Sequence, residues 1–142
     1  MNGFFYFKLY LLTVPIFFII DILWIGWLGR GFYKKQIGFI LSDQVNWTAA
    51  MAFYLIYIVG ILVMAVVPAL EKGLVTRAVL WGALFGFFTY ATYDLTNMAT
   101  IKGWPLAMVI VDVLWGTLLC ALVAAGSFYA GRWLMSGALP PR

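Results

Sequence analysis

The sequence contains no histidine and a single cysteine. Without imidazole there is no Ser-His-Asp or Cys-His nucleophile, no histidine-rich zinc, iron or copper site and no imidazole acid or base. Cys120 lies inside an apolar run, and one thiol cannot close an intrachain disulfide. Neither a metal nor a cofactor is expected. Charge is the next scarcity: 10% of the residues carry it, against roughly a quarter in an ordinary soluble domain. Hydrophobic residues make up 65% of the 142. A 16.0 kDa globule has too little interior to hide that much apolar surface, so a lipid bilayer is the solvent for most of the chain. The net charge of +4 could suggest nucleic acid, but the nine Lys and Arg are scattered singly or in pairs around apolar runs. That is the distribution of loop charges flanking membrane spans, and no nucleic-acid partner is expected.

Four apolar stretches have the length of a span: residues 9–29, 48–70, 78–97 and 105–131. The first differs from a cleaved signal sequence in its length, in Asp21 and in lacking a small-residue cleavage site, so it is expected to remain as a span. Trp27, Trp47 and Trp104 mark one membrane face, and Trp81 and Trp133 the other. An even number of spans puts both termini on one side with Lys8, Lys72, Arg77, Arg132 and Arg142, opposite Arg30, Lys34, Lys35 and Lys102. Five cations against four favour cytoplasmic termini by the positive-inside rule. The segment from Arg30 to Asn46 is too apolar for a free loop and too charged to cross, and it reads as interfacial, the alternative being an ordinary connecting loop with a few anchoring aromatics. The other connections are short, so spans two to four should be antiparallel neighbours. The expected fold is therefore all-α: residues 1–142 form one integral membrane four-helix bundle with antiparallel helices and an interfacial segment between the first two.

Ionisable residues inside a span are costly and are functional candidates by default. Asp21 lies nine residues before Arg30 and Asp112 eight after Trp104. At 1.5 Å per residue both sit about 12–13 Å below one surface. Tyr54 and Tyr57 reach a similar depth on the second span, one helical turn apart. On the third, Gly86, Thr89, Tyr90, Tyr93, Asp94 and Asn97 form a single polar face that lipid would penalise, so it must look inward. Its Asp94 and Asn97 end is expected to open toward the surface holding Lys102. Trp24 and Trp115 each follow an aspartate by three residues and share its helix face, giving an aromatic wall beside an anion. Each also suits plain packing. The two Asp-x-x-Trp tetrapeptides run oppositely through the membrane, as relics of an inverted repeat would. No cation is within easy reach of Asp21 or Asp112, so the pair is protonated, shares one proton, or holds a cation. The plainer alternative is a protonated Asp fastened to a Tyr or Thr of the next helix, worth about 1 kcal/mol. Gly82-Ala-Leu-Phe-Gly86 is a small-xxx-small match for helix packing. Pro15 is placed to bend the first span, while Pro68 and Pro105 lie near helix ends.

Several of these runs are also distinctive: Gly31-Phe-Tyr-Lys-Lys-Gln36, Ala52-Phe-Tyr54 with Tyr57, Gly82 to Gly86, Tyr90-Ala-Thr-Tyr-Asp-Leu-Thr-Asn97, Lys102-Gly-Trp-Pro105 and Asp112-Val-Leu-Trp-Gly116. Together they resemble, over nearly the whole chain, a bacterial family of small membrane proteins known as domain of unknown function 2177. That resemblance implies a bacterial four-span protein of the inner membrane and leaves its activity open.

Three readings follow from the residues. The first is binding or transport of a small hydrophobic or cationic ligand between Asp21, Asp112, Tyr54, Tyr57, Tyr90, Tyr93, Trp24 and Trp115, with Asp94 and Asn97 at the mouth. The second is a membrane enzyme using paired carboxyls for acid-base chemistry on a lipid or isoprenoid. The third is an accessory subunit of a larger membrane complex, whose polar stripe docks a partner's helix; as partners, a homo-oligomer and a membrane complex both stay open.

Overall fold

The computed structural model describes residues 1–137; Arg142, counted above among the cations near the termini, lies outside the described residues. Among those described, every regular element is helical. They form α1 (Gly3–Leu28), α2 (Arg30–Ile37), α3 (Trp47–Lys72), α4 (Val75–Thr100) and α5 (Leu106–Ser136). The boundaries follow local chemistry. Asn2 and Asn46 cap α1 and α3, each accepting through its side-chain oxygen from the backbone N–H three residues on, at 2.9 and 3.0 Å. Gly73 ends α3 at φ 67°, a left-handed conformation that favours glycine. Pro105, fixed in φ and lacking an N–H, stands at the threshold of α5.

Among the described residues three helices are long and apolar enough to cross a membrane: α1, α3 and α5. The fourth expected span, α4, has the length, with 26 residues or about 39 Å. It does not reach the same apolarity, because Thr89, Tyr90, Thr92, Tyr93, Asp94, Thr96 and Asn97 crowd its second half. Most of its threonines return their hydroxyls to the carbonyl four residues back, which hides one donor each.

Two spans are interrupted by widened, π-helical turns. One covers Leu62–Val66, where Val67 N–H bonds to Leu62 O. Pro68 directly follows and cannot bond back to the preceding turn, so the slack is taken up ahead of it. The other covers Trp24–Leu28 and closes with Gly29 N–H on Trp24 O at 2.6 Å. It lies one turn beyond Asp21 and turns the chain into α2.

Packing is uneven along the molecule. The N-terminal halves of α1 and α4 meet the C-terminal halves of α3 and α5 in a close core that includes Leu9, Ile61, Ala65, Ala78 and Val123. The α4–α5 contact is the tightest. Gly82 lies against the Cys120 carbonyl and Ala124, and Gly86 against the Gly116 carbonyl and Cys120, so position rises on one helix as it falls on the other. The small residues at 82 and 86 on α4 are met by equally small ones at 116, 120 and 124 on α5, which lets the backbones touch. A smaller cluster at the other end joins Ile37 of α2 to Trp104, Met108 and Val109, and holds α2 down on the start of α5.

A Cβ at Gly86 would collide with the Gly116 backbone, whereas Gly31 has nothing within 4 Å. Gly86→Val should therefore cost about 1–3 kcal/mol of stability in detergent, while Gly31→Ala costs nothing measurable. Thermal unfolding followed by circular dichroism checks both; equal midpoints would contradict the packing.

Candidate functional site

Three carboxyls reach one level. Asp21 is seven residues from the end of α1, Asp94 six from the end of α4 and Asp112 six from the start of α5. Each is therefore about 9–10 Å along its helix from the same end of the molecule. All three are buried. The groups around Asp21 are Tyr54, Trp115 and Asp112; those around Asp112 are Tyr33 and Asp94. None is a cation.

The two Asp-x-x-Trp segments face one another and exchange partners. Trp115 of α5 donates its indole N–H to Asp21 Oδ1 of α1 at 3.5 Å. Trp24 of α1 donates its indole N–H to the Tyr33 hydroxyl at 3.0 Å, and that hydroxyl in turn donates to Asp112 Oδ1 of α5. Between these bonds the two indoles stack, with centroids 4.5 Å apart and planes 10° from parallel. The result is a closed circuit through α1, α2 and α5. Gly29 makes it possible, since a Cβ there would meet the Tyr33 ring at 2.9 Å and the Trp24 Nε1 at 3.0 Å. Tyr33 sits on the short helix α2, where burial first and the Asp112 charge second hold its phenol above the ordinary value. It therefore remains a proton donor toward Asp112 across the physiological range.

Below this circuit lies a second polar cluster. The Tyr57 hydroxyl is 2.6 Å from Thr89 Oγ1 and 3.2 Å from Cys120 Sγ, joining α3, α4 and α5. The Tyr90 ring rests on Gly116, where a side chain would leave no room for it. Phe17, Phe53 and Phe85 surround Tyr57 and continue the aromatic wall.

These groups border an open cavity of about 1400 Å³. Of the residues expected at a site, Asp21, Tyr54, Tyr57, Tyr90, Tyr93, Asp112 and Trp115 line it. Trp24 does not, because it is turned to Trp115 and Tyr33. Asp94 and Asn97 do not line it either. Asp94 was expected at the mouth; it is fully buried beside Asp112 and Trp104, because its face of α4 is covered by α5 and not open to the surface. Both its oxygens and the Trp104 indole N–H are buried without a hydrogen-bond partner. Asn97 is half-buried one turn further on. The basic rim is Arg30, Lys34 and Lys35, while Lys102 lies off the cavity wall.

Tyr33 is the residue that sequence reasoning passed over, since an interfacial segment gives no period from which to aim a side chain inward. The available signal was Gly29 four residues ahead of an aromatic in an otherwise basic helix. Thr89 lay on the recognised polar face, but its pairing with Tyr57 depends on how α3 and α4 meet.

A family model described as predicted membrane protein (DUF2177) matches residues 6–129, and the chain belongs to that family. No curated protein and no solved structure matches it.

A parallel indole pair at this separation couples its transitions. The near- and far-ultraviolet circular dichroism should carry an exciton couplet that Trp24→Leu and Trp115→Leu each abolish and that Trp81→Leu leaves intact. Persistence of the same couplet in either of the first two variants would contradict the stack.

Proposed function

We propose that this member of the family is a four-span, antiparallel helical protein of the bacterial inner membrane, with both termini cytoplasmic, that binds or transports a small hydrophobic or cationic molecule in its intramembrane cavity. The observation that carries the reading is the composition of the cavity wall, where two buried acids without a cationic partner stand among Tyr54, Tyr57, Tyr90 and Trp115. Aromatic faces and acids in a low-dielectric site attract an organic cation, and the rings alone accept a neutral apolar body. Tyr57 belongs both to the packed core and to the cavity wall, so the core adjoins the cavity. The opposed register of Gly82 and Gly86 against Ala124 and Gly116 supports the antiparallel arrangement. In the four-span reading α4 turns Thr89, Tyr90 and Asp94 to α3 and α5, while its exposed Thr92, Thr96 and Thr100 return their hydroxyls to carbonyls of the same helix.

A second reading, acid-base chemistry on a lipid or isoprenoid, is favoured by one observation: Asp94 lies beside Asp112 with both oxygens unpartnered. Two neighbouring carboxyls in unlike settings can divide the roles of acid and base. Here Asp112 meets the cavity and Asp94 is sealed behind it. Comparing the lipids of cells with and without the gene would reveal a substrate-product pair if this reading holds, and identical profiles would set it aside.

The binding reading is tested in proteoliposomes with two probes, the lipophilic cation tetraphenylphosphonium and the neutral dye N-phenyl-1-naphthylamine. Native protein should bind at least one. The double change Asp21→Asn/Asp112→Asn should weaken the cation by about tenfold or more, equivalent to about 1.4 kcal/mol, and Trp115→Ala should weaken the neutral dye. Equal binding and flux of both probes in native and altered protein would remove the reading.

A further inference from the structure

The cavity is polarised along its depth. At its outer end stand Arg30, Lys34 and Lys35, opposed by one acid, Asp43; about 10 Å deeper come Asp21 and Asp112. Arg30 and Lys34 are four residues apart on α2 and share a face. All three cations are exposed. The deep acids already have donors, Asp112 from Tyr33 and Asp21 from Trp115, so what they leave uncovered toward the cavity is largely aromatic.

The side of the cavity between these levels is apolar and open. Ile25, Phe39, Leu41, Val45 and Phe53 line it, and all five are exposed. Its volume of about 1400 Å³ exceeds the roughly 300–1000 Å³ typical of sites for compact drug-sized ligands. A basic rim at headgroup level, an apolar lateral opening and an aromatic interior match the three parts of a single-headed amphiphile.

We propose that the occupant of this cavity is an anionic lipid whose phosphate sits between Arg30, Lys34 and Lys35 while its hydrocarbon chain passes between Ile25 and Phe53 into the aromatic interior. The proposal rests on the binding reading above, in its hydrophobic arm, and names the class of ligand. Charge complementarity selects the headgroup: the guanidinium offers a fork of donors to a phosphate and the two ammonium groups add point charge. An ordinary interfacial anchor would draw anionic lipid to any cation near the surface. A cavity site requires these three and not Lys102, which lies at the same end of the molecule but off the cavity wall.

Purified protein in nanodiscs of equal parts phosphatidylglycerol and phosphatidylcholine, transferred to detergent and weighed by native mass spectrometry, reads the lipid retained. Phosphatidylglycerol should be enriched about fivefold or more over phosphatidylcholine. Arg30→Gln/Lys34→Gln/Lys35→Gln should bring the ratio close to unity, with helical content unchanged. Lys34→Gln alone should lower it, Lys34→Arg should restore it, and Lys102→Gln should leave it as it was. Competition by millimolar glycerol phosphate without loss of bound acyl chain would assign the rim to soluble phosphates and overturn the lipid assignment. Equal retention of both lipids, or an equal effect of Lys102→Gln and Lys34→Gln, would overturn it as well. If that happened while Asp21→Asn/Asp112→Asn or Trp115→Ala still weakened the two probes, the binding reading would stand without this ligand.

Discussion

A buried carboxyl needs a donor in place of bulk water, and here each of the two cavity acids takes its donor from a different helix. Asp21 of α1 is met by an indole of α5, and Asp112 of α5 by a phenol of α2 that an indole of α1 holds in place. The stack of Trp24 on Trp115 ties both bonds into one unit. The Tyr33 bond to Asp112 is the element on which the rest depends, since it draws α2 onto the start of α5. That places Arg30, Tyr33, Lys34, Lys35 and Ile37 of α2 on the cavity wall.

Rigidity and openness are divided between the two ends of the molecule. At one end, glycine and alanine let α4 and α5 touch backbone to backbone, and Leu9, Ile61, Ala65 and Val123 fill the remaining space. At the other, large rings replace small side chains and line the open cavity. Tyr57, bridged to Thr89 and Cys120, marks the boundary between the two regimes. The π-helical turn at Trp24–Leu28 belongs to the open end, where it lets the chain leave α1 at an angle that carries Tyr33 back over Asp112.

Much of this was legible in the order of residues, and for a physical reason: a bilayer fixes depth, so counting residues along helices of known rise places groups on a common level. That is how Asp21, Asp112, Tyr54 and Tyr57 could be brought together, and all four line one cavity. Rotation about a helix axis is harder to read. Asp94 shares its stripe with Tyr90 and Tyr93, yet a few tens of degrees separate a group facing the cavity from one sealed against α5, and Asp94 falls on the sealed side. Interfacial helices are harder still. The segment after Arg30 has neither a span's length nor a clear period, so nothing local told where Tyr33 would point. Apolarity alone also overstated α4, whose threonines and tyrosines keep it below the hydropathy of its neighbours.

The energy shared by Tyr33 and Asp112 can be isolated with a double-mutant cycle in nanodiscs or detergent, using Tyr33→Phe, Asp112→Asn and the pair of changes together. Unfolding free energies should depart from additivity by about 1–3 kcal/mol, as befits a buried bond from a hydroxyl to a carboxyl. Additivity within experimental error would mean that the two side chains do not interact and that this bond does not hold α2 onto the start of α5.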